Sequence, residues 1–160
     1  MKLNYDAVRG VLMYLGEYLG YVDTNSEIPY KHETMVIGVV ANGAVTNYSE
    51  NETLFNTEDA VYATEQLIRA GYLETANIRK LGNDIIFARI CDITWNGQQL
   101  LQSIENEQIW NSVKEIGDKR GGMPLNVLAS VCGKLSMLAM TEPTALANVE
   151  QAISTCFGIL

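Results

Sequence analysis

One passage, residues 56–104, narrows the choice of fold more than any other. Asn56 or Thr57 can cap a helix, and Glu58 and Asp59 fall in its first turn, where the helix dipole favours carboxylates. Ala60, Val61, Thr64, Leu67 and Ile68 recur at helical spacing and form an inner face. Ala70-Gly71 ends the helix, since glycine adopts the left-handed conformation that helix ends often require. Tyr72 to Ile78 then reads as a strand, Leu81-Gly82-Asn83-Asp84 as a turn, and Ile85 to Thr94 as the returning strand. At Thr94 the hydrophobic period lengthens from about two to about 3.6 residues, and Leu100, Leu101 and Ile104 form the stripe of another helix. Thr94 is placed to cap that helix, Trp95 to anchor the hairpin in the core, and Gly97 to permit close backbone approach. A helix, a tight glycine exit and an immediate hairpin are the order of a winged helix, where the helix reads DNA and the hairpin is the wing. The expected fold is α+β and mostly helical: a winged-helix-like domain with a two-stranded β-hairpin wing and a helical C-terminal extension.

The flanking segments fit around this passage. Asn4 can cap a first helix carrying Val8, Val11, Leu12, Leu15 and Leu19, with Asp6 at its positive end. Thr34 to Val40 has strand character, but Gly38 and the polar run Asn42 to Asn56 weaken it, so residues 25–55 read as a divergent insertion. Ile109, Trp110, Val113 and Ile116 mark another helix, which Gly121-Gly122 breaks. Pro124 suits the first position of the next one. That helix, to Met140, is apolar nearly all round, including Val127, Cys132, Met137 and Met140, and such a helix must be buried in this domain or against another chain. The expected division is 1–105, winged-helix-like, and 106–160, a helical extension that packs on it or forms an oligomer interface. The candidate interface residues are Leu125, Leu128, Val131, Leu135, Leu138, Leu146, Val149, Ile153 and Phe157.

Charge and chemistry remove several function classes. The formal net charge of −8 is spread along the chain with no basic tail, which argues against strong general DNA binding. No window approaches the roughly 18 apolar residues that cross a bilayer. The N-terminus lacks a signal peptide's apolar run, so a cytoplasmic location in a bacterial cell is expected. His32 is the only histidine, and Cys91, Cys132 and Cys156 are far apart, so a zinc site is not expected. Gly121-Gly122 lacks the Lys-Ser/Thr of a phosphate loop, and Glu58-Asp59 is explained by the helix dipole. These patterns predict no enzyme, metal, cofactor or small-molecule substrate.

Two kinds of macromolecular partner stay open. In a recognition helix Asp59, Tyr62, Ala63, Gln66 and Arg69 face outward, while Arg79, Lys80 and Arg89 decorate the wing. Gln66 and Arg69 can read base edges and the wing cations can hold phosphates, but Glu58, Asp59 and Glu65 oppose DNA on the same helix. The apolar C-terminal helices favour a protein partner or self-association instead.

Three stretches, "MKLNYDAVRGVLMYL", "YATEQLIRAGYLE" and "ITWNGQQLL...IWNSVKEI", together resemble the family called domain of unknown function 2513, in order over about residues 1–140. The resemblance implies a winged-helix-like domain with a helical C-terminal extension, found in bacteria and their prophages, and no established chemistry. After its tryptophan or tyrosine that family usually has Gly-His, an acidic or amide residue, then Phe-Leu. This chain has Gly97-Gln98-Gln99-Leu100-Leu101, so any chemistry of that histidine is absent. The expected function is non-enzymatic macromolecule binding of bacterial or prophage type, through protein–protein interaction or as a DNA-binding regulator. The alternative is a phage anti-defence inhibitor, an acidic nucleic-acid mimic that binds a host nuclease or sensor.

Overall fold

The computed structural model describes residues 2–18, 35–38, 44–47, 52–55 and 57–141. Their order is α1 (Tyr5–Tyr18), β1 (Met35–Gly38), β2 (Ala44–Asn47), β3 (Glu52–Phe55), α2 (Glu58–Arg69), β4 (Leu73–Leu81), β5 (Asp84–Ile93), α3 (Trp95–Glu105), α4 (Glu107–Lys119) and α5 (Leu125–Thr141). The class is α+β with more helix than strand, as the hydrophobic periods predict.

The sheet is larger than the expected hairpin. β4 and β5 are its last two strands, and the full antiparallel order is β3-β2-β1-β5-β4. β1 pairs with β5 through Met35 opposite Ile90 and Ile37 opposite Ala88. Residues 25–55 thus contribute strands rather than loop alone. β2 and β3 escape a sequence reading because each is four residues long with its two apolar residues adjacent, so no period-two alternation shows.

The β4–β5 ladder is irregular, and its irregularities explain the burial of β5. Register shifts between Glu74 and Thr75 and between Arg79 and Lys80 leave Cys91 and Ile86 as extra residues on β5. Each extra residue resets the alternation, so the buried positions are Ile85, Ala88, Ile90 and Ile93, not every second residue. A third shift inserts a residue on β4, where Asn77 adopts φ 54°. Gly82, at φ 61°, takes the first place of the two-residue loop, where a type II′ turn needs glycine.

The chain divides into two units, Asp6–Gln98 and Met1–Tyr5 with the chain from Gln99 onward. In the first, Val8, Val11, Leu12, Leu15, Leu67, Ile85 and Ile90 are fully buried. In the second, Trp110, Ile104, Val113, Leu128 and Leu135 fill the core. There the Tyr5 hydroxyl accepts from the Met123 amide, and its ring lies where a side chain on Gly117 would project.

One expectation fails, in α3. Trp95 is 76% exposed and does not anchor the core; that place belongs to Trp110, 2% exposed. At about 100° per residue Trp95 lies some 160° around the helix from Gly97, which faces inward with Leu100, Leu101 and Ile104. α5 is not buried all round. Leu125, Leu128, Val131, Leu135 and Leu138 are covered by the chain itself, so these five side chains are not open to a second copy. The apolar residues that α5 does expose are Val127, Met137 and Met140. Leu146, Val149, Ile153 and Phe157 lie outside the described residues, as do His32 and Cys156.

Candidate functional site

The surface made by α2, the β4–β5 hairpin and the start of α3 is built from local rules. Thr57 caps α2, its hydroxyl accepting from the Ala60 amide at 3.3 Å, and Thr64 donates back to the Ala60 carbonyl at 2.7 Å. At the other end the Tyr72 amide donates to Leu67 O and the Gly71 amide to Ile68 O, a Schellman closure that needs Gly71 at φ 79°. Thr94 ties this corner to the next helix. Its hydroxyl donates to Gly71 O at 2.7 Å and accepts from the Gly97 amide at 3.2 Å, while its own amide donates to Tyr72 O. Gly97 then sits against Tyr72 O so closely that a Cβ would lie 2.2 Å from it.

The outward-facing side chains assort differently from the recognition-helix reading. Asp59, Tyr62 and Gln66 are half-buried, and Ala63 is fully buried instead of outward. Arg69 is exposed but turned to the hairpin, where its Nη2 donates to Asn83 O. Arg79 and Lys80 are exposed on the edge strand β4, with the Arg79 guanidinium 5.7 Å above the Phe87 ring centroid. Arg89 is not on the wing's outer surface: it is half-buried in the middle of the sheet, between Ala76 on β4 and Val36 on β1. Residues 57–94 hold six carboxylates against four cations. Burial holds the Glu65 carboxyl above its ordinary range; Asp84 adds to this and Arg69 opposes it.

Apolar exposure is the other feature of this unit. Trp95 stands on the outer face of α3, one residue past the Thr94 tie, and Ile78 and Leu81 are exposed on β4. A tryptophan this solvated contributes little to the fold. Its position was legible in the spacing, because the Gly97-Leu100-Leu101-Ile104 stripe already places residue 95 on the opposite face.

The second unit offers a groove of about 780 Å³ along α5, lined by Gln99, Gln102 and Asn106 on one side and Gly133, Lys134 and Met137 on the other. Ser136 donates to the Ser103 hydroxyl at 2.8 Å beside it. Cys132 is buried nearby, and burial pushes its thiol pKa up to about 12, so it carries no thiolate at neutral pH. Among the described residues no group of histidine, cysteine, aspartate or glutamate can hold a metal ion, and no helix is long and apolar enough to cross a membrane.

Residues 2–123, well over half of the chain, match the family described as "Hypothetical protein (DUF2513)". The chain belongs to the DUF2513 family. An uncharacterized protein of Haemophilus influenzae (strain ATCC 51907 / DSM 11121 / KW20 / Rd) is 29% identical over 114 residues, covering 71% of this chain and 76% of its own length. No solved structure matches. The DUF2513 match contains α2, the hairpin, α3 and Trp95, whereas α5 lies beyond it, so the match covers only the Gln99, Gln102 and Asn106 side of the groove.

Proposed function

We propose that this DUF2513 chain is a non-enzymatic protein-binding module of bacterial or prophage type, and that it engages its partner through the surface carrying Trp95. The observation that carries the reading is the exposure of Trp95, 76%, on an element otherwise fixed by Thr94 and Gly97. Tryptophan is enriched among the few residues that dominate protein interfaces, and nothing in the packing of α3 calls for it at that position. Ile78 and Leu81 extend the apolar character of the same unit.

DNA recognition is the weaker reading. Arg69 is engaged by Asn83 and Arg89 is half-buried in the sheet, which leaves Arg79 and Lys80 to offset a local excess of carboxylates. The same excess favours, as a second reading, a partner that itself binds nucleic acid, with this acidic surface standing in for the phosphates. A host nuclease or sensor disarmed by a phage protein has that property. The location that goes with either reading is the bacterial cytoplasm.

Photo-crosslinking from position 95 tests the proposal. A Trp95→benzoylphenylalanine variant expressed in a bacterial cell should give a discrete protein adduct, and the same substitution at the exposed Gln108 should not. Adducts only to nucleic acid, or none from position 95, would refute it.

A further inference from the structure

Arg69 closes the last turn of α2, where a base-reading arginine would point to solvent, yet its guanidinium reaches across to the loop of the hairpin and donates to Asn83 O. Glu65 stands one turn earlier on α2 and Asp84 follows Asn83 in the chain, and the Glu65 carboxyl feels both charges, Arg69 favouring its ionised form and Asp84 opposing it. The hairpin itself is divided. Asn77, at φ 54°, marks a break in register between Ala76 opposite Arg89 and Arg79 opposite Phe87. On the near side Leu73 pairs with Ile93, and both are buried. On the far side Arg79, Lys80 and Leu81 pair with Phe87, Ile85 and Asp84, and of these Ile85 alone is buried.

From this arrangement we infer that Arg69 is a clasp that holds the distal arm of the hairpin, residues 79–86, against the end of α2, with the Asn77 bulge as the hinge. The bulge interrupts the ladder, so the β4 side and the turn of the distal arm can loosen without unzipping the proximal one, while Ile85 stays in the core and Phe87 stays paired with Gly38 of β1. The clasp is a charge-assisted hydrogen bond in an exposed position, strong enough to bias the arm and weak enough to open. With the guanidinium in place its charge offsets the repulsion between Glu65 and Asp84; without it that repulsion acts between helix and arm. Leu81, 73% exposed, rides on that arm, so the clasp sets where this apolar side chain is presented. It does so whether or not the surface binds protein, and its failure is distinguishable from failure of the Trp95 proposal because no partner enters the test.

The experiment is amide hydrogen exchange, residue by residue, on the full chain and on Arg69→Ala, Arg69→Lys and Arg69→Ala/Glu65→Gln variants. In Arg69→Ala, amides of 79–81 and 84–86 should exchange about tenfold faster, the effect of losing one hydrogen bond to a charged group. Amides of 73–76 and 89–93 should keep their protection. Arg69→Lys retains the positive charge between the carboxylates and should lie between the two, and adding Glu65→Gln to Arg69→Ala should restore part of the protection. Unchanged exchange in the arm of Arg69→Ala, an equal rise on both sides of Asn77, or no recovery in the double variant overturns the inference.

Discussion

Gly97→Ala is the sharpest test of how the chain turns from sheet to helix. The added Cβ would stand 2.2 Å from Tyr72 O and 2.5 Å from Ile93 Cγ2. Both distances are about 1 Å or more inside ordinary contact, roughly 3.5 Å. Neither neighbour can yield cheaply. Tyr72 O accepts the Thr94 amide at 3.0 Å, so pushing it away breaks the tie that closes the corner, and Ile93 is buried. Overpacking costs about 1–3 kcal/mol and the lost hydrogen bond about 1 kcal/mol, against a gain below about 1 kcal/mol from replacing glycine in a helical turn. The net expectation is a loss of about 1–4 kcal/mol, and at roughly 2–4 °C per kcal/mol for a chain of this size, a fall in Tm of about 5–10 °C. Thermal denaturation followed by circular dichroism, with urea denaturation as a check, reads this directly. A Tm within about 1 °C of the parent would refute the claim that α3 is docked through Gly97.

Other substitutions probe separate parts of the structure. Gly133→Ala should raise stability by about 0.5–1 kcal/mol in urea denaturation, because a Cβ there meets nothing within 4 Å and glycine is costly inside a helix. Trp110→Ala should cost about 3–5 kcal/mol, whereas Trp95→Ala should change stability by no more than about 0.5 kcal/mol, and equal losses would return Trp95 to the core. Tyr5→Phe removes the acceptor of the buried Met123 amide and should cost about 1–3 kcal/mol, measurable as a shift in the urea midpoint. Glu65→Gln should stabilise the chain near pH 7 by less than about 1 kcal/mol, the group being half-buried and still screened by solvent. A raised carboxyl opposes folding while charged, so that advantage should shrink as pH falls through the folded value and vanish below the ordinary 4.5; an advantage that grows on acidification would reverse the assignment.

The local grammar of the chain was largely legible and its surface was not. Thr57, Gly71 and Thr94 were identifiable because caps and helix exits impose residue types on single positions, and each makes the bond its type predicts. Gly97 was legible as a point of close approach, and the structure supplies the carbonyl it approaches. β2 and β3 were hidden because edge and near-edge strands of four residues need no apolar alternation. The half-burial of Arg89 and the hydrogen bond of the exposed Arg69 escape the sequence for a different reason. Sequence shows that a cation sits on a strand or a helix end, but whether it meets solvent, a sheet neighbour or a loop carbonyl depends on register and on how the hairpin folds back. Trp95 was assigned to the core on residue type alone, although the period of α3 already placed it outside.

Trp95 is the residue on which partner binding should depend most directly. Affinity purification of the full chain from bacterial cells, run in parallel with Trp95→Ala and with an Arg79→Ala/Lys80→Ala double variant, separates the readings. The expected result is a stoichiometric protein partner retained by the parent and the double variant and lost by Trp95→Ala at unchanged Tm. A partner kept by Trp95→Ala, or salt-sensitive retention of DNA that disappears in the double variant, would contradict it.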